Sequence, residues 1–228
     1  MQFGVRDAAR ALNVSEKTIY RWVKEGKLPA YRVNEQYRFN RAELLEYATS
    51  HKISVSPDLF EEPEDDVRSP LPTLEEALQA GGIHYHIGGT DKPSALRAVI
   101  DIMQLPDDVD RQFLLQVLLS REYLGSTGIG DGIAIPHVRT PIVMRIRRPM
   151  ITLCFLDKGI DFDAIDGKPV EILFTIVSLT IRSHLHLLSK LAFVLRDPNF
   201  RALLGRHGMP EEIMAEVHRV ERQWQKDG

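Results

Sequence analysis

The stretch that most restricts how this chain can fold is Ser56-Pro57-Asp58-Leu59-Phe60-Glu61-Glu62-Pro63-Glu64-Asp65-Asp66-Val67-Arg68-Ser69-Pro70-Leu71-Pro72. Its four prolines and six acidic residues cannot pack into a core, and like charges extend a chain. It reads as a linker over residues 53–72, so two bodies must fold on either side of it. Charge supports the division. Residues 1–55 hold ten Lys/Arg against six Asp/Glu, whereas residues 56–77 hold one Arg against eight acids. The rest balances, and the whole chain of 228 residues carries a net charge of −3. A hydrophobic content of 43% suits globular domains and excludes a wholly disordered chain. The single cysteine, Cys154, excludes a framework of internal disulfides. No apolar run nears the roughly 18 residues of a membrane span, and the N-terminus lacks a signal-peptide profile. The expected setting is therefore cytoplasmic, without membrane insertion.

In the head, Val5, Ala8, Ala9 and Leu12 follow the spacing of a short amphipathic helix. Asn13-Val14 turns the chain, and Ser15 can cap a second helix that buries Ile19, Trp22 and Val23 and ends at Gly26. This is a helix-turn-helix pattern. The second helix carries Lys17, Arg21 and Lys24 on one face, with Thr18 and Tyr20 near its start. By themselves three basic residues are compatible with an ordinary solvated surface. Beyond Leu28-Pro29, the alternation of 30–33 and 37–39 around 34–36 predicts a hairpin. Tyr31, Val33, Tyr37 and Phe39 are expected on its inner face, leaving Arg32 and Arg38 exposed. Asn40 and Glu43 predict a capping box on a third helix. Residues 1–52 thus read as a winged helix-turn-helix.

The run from Val5 to Ala30, with Arg38-Phe39 of the hairpin, resembles MerR-type and excisionase-type DNA-binding domains. The resemblance implies that residues 1–50 bind double-stranded DNA. It places Lys17, Thr18, Tyr20, Arg21 and Lys24 on the reading helix and Arg32 and Arg38 on the wing. One such head makes few phosphate contacts, so useful affinity would require a homodimer or a second DNA-binding protein. A protein-docking role is the alternative.

The body, residues 73–228, predicts helices over 73–80, 92–105, 107–121, 183–196, 199–204 and 210–224. Strands are expected over 83–87, 132–135, 150–155 and 170–177, with a turn at Asp166-Gly167. Such an order predicts an α/β layered domain with a mixed sheet between helices. Thr127-Gly128-Ile129-Gly130-Asp131-Gly132-Ile133-Ala134-Ile135-Pro136-His137 carries the chemistry. Alternating Gly128, Gly130 and Gly132 would let the backbone approach an anion, although the run lacks the Lys-Ser/Thr of a nucleotide loop. His137 ends an apolar strand and could accept a phosphoryl group directly as a neutral imidazole. Arg121 offers a planar fork for phosphate oxygens. A strand-end histidine alone could equally be a hydrogen-bonded surface residue.

That segment is similar to the active-site signature of enzyme IIA domains of the bacterial phosphotransferase system, of the fructose/mannitol and nitrogen-regulatory type. Val170-Glu171-Ile172-Leu173-Phe174 and residues 183–192 follow the same pattern, so the resemblance spans about 76–225. It implies His137 as phosphoacceptor, Arg121 as the residue that neutralises phosphate charge, and His184 as a second active-site histidine. Thr127, Gly128, Gly130 and Gly132 would form the phosphate loop. The implied donor is a phosphohistidine carrier of the HPr type, and the exchange requires no metal or other cofactor. Val138 departs from the glycine frequent after the histidine, and Leu179 from a proline before the second one.

His84 and His86 would share a strand face without a third ligand nearby. On a helix, His184 and His186 diverge, so a metal site is not expected. The combined expectation is a phosphotransferase component, regulatory rather than metabolic, whose phosphorylation is coupled to DNA binding. One rival is a phosphoryl relay for sugar uptake with a docking head; another keeps DNA binding with an inert dimerisation body.

Overall fold

The structure is a computed structural model that describes residues 3–33, 36–39, 44, 47–48, 53, 70–107, 109–138, 146, 148–178 and 180–227. Two compact units divide the chain, Met1–Pro70 and Leu71–Gly228. Apart from Pro70-Leu71-Pro72, the acidic stretch lies outside the described residues, as do Asn40, Glu43 and Leu179.

In the first unit, α1 (Val5–Ala11) and α2 (Glu16–Lys24) form the two helices. Asp7 accepts from the Gly4 backbone N–H at 3.0 Å, and Ser15 Oγ accepts from Thr18 N at 3.2 Å, so both first turns are capped. Ala8, Ala9 and Ala11 are buried, and their small side chains let the helices approach closely. Asn13 adopts a φ of 51° in the turn, and Gly26 takes a φ of 67° after α2. Ile19, Leu12 and Leu28 close the core with Phe39 and with Leu44 and Tyr47, both helical.

β1 (Tyr31–Val33) and β2 (Gln36–Arg38) form the hairpin, with a register that corrects the expected inner face. Tyr31 opposes Arg38, and Arg32 opposes Tyr37. Directly opposed residues lie on the same side of a sheet, so Tyr31 and Tyr37 fall on opposite sides. Two residues separate the strands rather than the expected three, and a one-residue slip exchanges the faces. Arg38 is half-buried, with its guanidinium donating to Gln36 Oε1 at 2.7 Å, rather than freely exposed.

The second unit contains α3 (Leu74–Gly81), β3 (Ile83–Ile87), α4 (Lys92–Ile102), α5 (Arg111–Tyr123), β4 (Gly128–Gly130), β5 (Ile133–Ala134), β6 (Met150–Ile160), β7 (Val170–Val177), α6 (Ile181–Val194), α7 (Pro198–Gly205) and α8 (Pro210–Asp227). The strand order is β3-β6-β7-β5-β4. β3 runs parallel to β6 and β5 parallel to β7, whereas β6–β7 and β4–β5 are antiparallel. The expected mixed α/β sheet is therefore present. Strand alternation sends Ile151, Leu153 and Phe155 of β6 and Ile172, Phe174 and Ile176 of β7 into one core with α3, α6, α7 and α8. α4 packs against β3 and β6, and α5 packs against α4.

Several boundaries moved for local reasons. α5 starts at Arg111 because Asp110 accepts from Phe113 N at 2.9 Å and stops the helix extending backwards. α6 starts two residues before Ser183, because Thr180 Oγ1 accepts from Ser183 N at 3.0 Å. β4 was not expected, since a glycine-rich segment has low strand propensity. The root of the second unit is tied to its far end: Glu221 of α8 accepts from Leu74 N at 2.9 Å and Glu75 N at 3.1 Å. Glu221 also pairs with the buried Lys190 of α6 at 2.8 Å.

Candidate functional site

Parallel neighbours end at the same edge of a sheet, and this fact assembles the site. β5 continues through Ile135 and Pro136, with Ile176 N donating to Pro136 O at 2.9 Å, and His137 bridges to Ile176. β7 ends at Val177, and the cap at Thr180 starts α6 immediately afterwards, so His184 lies in the first turns of that helix. The His137 and His184 rings lie 5.1 Å apart, tilted by 33°. Forty-seven residues of sequence separate them; one strand-end edge joins them.

The tautomer of His137 follows from its partner. Its Nδ1 lies 2.8 Å from the Ile135 carbonyl, which can only accept, so Nδ1 carries the hydrogen and Nε2 is left with its lone pair. Burial holds the His137 pKa below its ordinary value; the Ile135 bond opposes that shift and the Arg121 charge adds to it. His184 is buried, and its pKa is pushed down to about 4, mainly by desolvation, then by His137 and Arg121. Both rings are neutral at pH 7. His184 Nδ1 has no hydrogen-bond partner among the described residues.

Arg121 sits in the last turn of α5, half-buried, and donates to Gly125 O at 2.8 Å. Its charge lowers the pKa of both histidines, so it lies within their electrostatic reach.

The glycine run is held by contacts of its own. Thr127 N donates to Glu122 Oε2 at 3.0 Å, Gly128 N to Ser126 Oγ at 3.0 Å, and Asp131 N to Asp166 Oδ2 at 2.9 Å. These amides are already engaged within the protein. A Cβ on Gly128 would meet Ala164 at 2.8 Å, and Gly130 and Gly132 have φ of 95° and 75°. Glycine at 128, 130 and 132 is therefore required by a tightly packed β4–β5 turn. Asp166 holds that turn, and Asp131 also pairs with Arg201. Val138 is buried.

Sequence reasoning missed Glu122 and Lys92. Glu122 is nearly sealed from solvent, with Lys92 Nζ 3.8 Å away. Its signal was legible: an acid in the last turn of a helix opposes the macrodipole and calls for a partner.

In the head, Lys17, Arg21 and Lys24 are exposed on α2. Tyr20 is half exposed, its ring 6.0 Å from that of Tyr37. Thr18 is half-buried, its hydroxyl 3.0 Å from Ser15 Oγ. The side chain of Arg32 lies outside the described residues. The other histidine pair is parted by a ladder irregularity between His84 and Ile87, with His86 at φ 59°. His84 Nε2 lies 3.2 Å from Gly81 O, and His86 Nδ1 lies 3.0 Å from Asp157. No helix among the described residues is long and apolar enough to cross a membrane.

A mixed sheet at whose strand-end edge His137, following β5, meets His184 of α6, with Arg121 in the last turn of α5, defines an α/β histidine-site domain in a chain that also carries a helix-turn-helix head. Residues 76–219, more than half of the chain, match the family described as "Phosphoenolpyruvate-dependent sugar phosphotransferase system, EIIA 2", and the chain belongs to that family. Residues 3–52 match the family described as "Helix-turn-helix domain". The chain is 36% identical over 132 residues to the "Nitrogen regulatory protein" of Pseudomonas aeruginosa, covering 56% of this chain and 83% of that protein. It is 31% identical over 134 residues to the "PTS system fructose-specific EIIABC component" of Bacillus subtilis, covering 58% of this chain and 21% of that protein. Among solved structures, "Nitrogen Regulatory Protein IIA-Ntr from Neisseria meningitidis" aligns with a TM-score of 0.53 and 28% identity, over 64% of this chain and 95% of that one.

Proposed function

We propose that residues 73–228 are a regulatory enzyme IIA domain phosphorylated on His137 Nε2, tethered by residues 53–72 to a DNA-binding head at 1–52. The observation that carries this reading is the 2.8 Å contact of His137 Nδ1 with Ile135 O, which leaves Nε2 unprotonated and available as nucleophile. The donor would be an HPr-type phosphohistidine carrier in the cytoplasm. The Nε2 lone pair forms the new N–P bond while the donor's N–P bond breaks and its electron pair returns to the donor ring. No proton has to move, because Nδ1–H stays on Ile135 O. The Arg121 guanidinium would offset the phosphoryl charge, and the unpaired Nδ1 of His184 would serve a phosphoryl oxygen once that nitrogen carries hydrogen.

Exposed apolar residues beside these groups support transient docking of a carrier: Tyr123 and Leu124 follow Arg121, Ile129 lies in the glycine turn, and Leu185 follows His184. For the head, Lys17, Arg21 and Lys24 would meet phosphates while Tyr20 reaches base edges. A path for coupling runs along α6, from His184 to His186, whose ring faces the Pro72 carbonyl, and to Lys190, paired with Glu221 at the root of α3. Incubation with a phosphorylated HPr-type carrier should give an acid-labile label that is absent from His137→Ala. A wild-type protein that takes no label refutes the reading.

A further inference from the structure

We propose that Glu122, braced by Lys92, is a positioning residue for His137 and acts on it through Thr127 and Ile135. This rests on His137 being the phosphoacceptor. The connection is a short series of hydrogen bonds. The Glu122 carboxylate accepts from Thr127 N at 3.0 Å and from the Thr127 hydroxyl. The Thr127 carbonyl accepts from Ile135 N at 3.0 Å. The Ile135 carbonyl accepts from His137 Nδ1 at 2.8 Å. Each peptide in the series is held on both sides, so the acceptor that sets the imidazole's tautomer and tilt is itself located by a buried carboxylate.

Glu122 is well placed to do this because its environment over-determines it. Its side chain is 2% exposed, and burial of a carboxylate is tolerated only with partners. Lys92 supplies the counter-charge at 3.8 Å while remaining 2.9 Å from Asp163 and 4.8 Å above the Phe162 ring. The same helix end carries Arg121, fixed by its bond to Gly125 O. One turn of α5 therefore registers both groups: the guanidinium directly, and the imidazole at three bonds' remove. A displacement of Thr127 would tilt the ring relative to Arg121 without removing either reacting group.

The full chain with Glu122→Ala, Glu122→Gln and Thr127→Val separates positioning from mere structure. Two readouts are taken for each variant: the His137 tautomer from imidazole nitrogen shifts of unphosphorylated protein, and kcat and KM for phosphorylation by an HPr-type carrier. Glutamine can keep both bonds, its oxygen accepting from Thr127 N and its amide donating to the hydroxyl, so Glu122→Gln should stay within about threefold of wild-type kcat. Glu122→Ala should lose Nδ1–H dominance and about 100-fold in kcat with KM unchanged, the size expected of a misplaced catalytic group. Thr127→Val, which keeps the backbone bond and the fold, should lose about tenfold, one lost hydrogen bond at about 1.4 kcal/mol per tenfold. A Thr127→Val protein with wild-type tautomer and kcat overturns the proposal, even if Glu122→Ala fails to fold. So does a change in KM alone, or a Glu122→Gln protein as impaired as Glu122→Ala. The tautomer readout needs no donor, so it decides the positioning claim even if wild type takes no phosphoryl group and the phosphoacceptor reading falls.

Discussion

Protonating His184 would bring a cation into a site where the residue is 4% exposed and lies beside His137 and the Arg121 charge. Desolvation is the largest cause of its lowered pKa, about 4 against 6.5 for a free histidine. Between those two values the unfolded chain binds the proton more readily than the folded one, so stability falls as pH falls. The contribution of neutral His184 is complete above about pH 6.5 and lost progressively toward pH 4. At about 1.4 kcal/mol per pH unit the window is worth about 3 kcal/mol, a large share of a typical stability of about 5–15 kcal/mol. Urea unfolding of the full chain, followed by circular dichroism at half-unit steps from pH 7.5 to 4.5, measures it. His137 and His186 are also held below their ordinary values and contribute in the same direction. The lowered carboxylates Asp166, Asp197 and Glu212 lose their contribution only as pH falls below their ordinary values of 3.8–4.5. The difference between wild type and His184→Leu therefore reports His184 together with its coupling to the neighbouring His137. Wild type should lose about 3 kcal/mol relative to the variant over this range. Parallel pH profiles for the two proteins would refute the reasoning.

Other outcomes follow from the same contacts. Thr152 and Thr175 oppose each other across β6 and β7, and their buried hydroxyls have no partner among the described residues. Valine at either position should raise stability by about 1 kcal/mol in a denaturant melt, because an unsatisfied buried hydroxyl is removed at constant shape. Glu221→Ala would leave Lys190 buried without its counter-charge and free two N–H groups at the start of α3, destabilising by about 3–5 kcal/mol. The double change Lys190→Met, Glu221→Leu should restore much of that loss, which a double-mutant cycle reads. In a filter-binding or fluorescence assay, duplex affinity should fall with salt, and Arg21→Ala should lower both the affinity and the salt slope.

Much of this was legible in the sequence because local chemistry agreed with global placement. Ser15 and Gly26 bound α2 as their cap chemistry requires, and Pro210 opens α8. His137 and His184 are named together in the sequence only through the family resemblance, because their pairing depends on β5 and β7 being parallel neighbours, a long-range fact that no local pattern encodes. The hairpin faces were misread because a register rests on the count of loop residues, and one residue inverts every side. The glycines also have a steric need that the sequence does not announce: Ala164 crowds Gly128, and Gly130 and Gly132 take left-handed conformations. For Glu122 the sequence shows only an acid in the last turn of a helix, which calls for a partner; that the partners are Thr127 and Lys92 depends on packing.

The most direct measurement of the central claim is duplex affinity of the full chain before and after phosphorylation of His137, with His137→Ala treated in parallel. Phosphorylation should change the dissociation constant of wild type by about fivefold or more, the lower end of typical coupling between sites, and leave His137→Ala unaffected. Equal affinities for fully phosphorylated and unphosphorylated wild type, with DNA bound in both, would contradict the coupling of head and body.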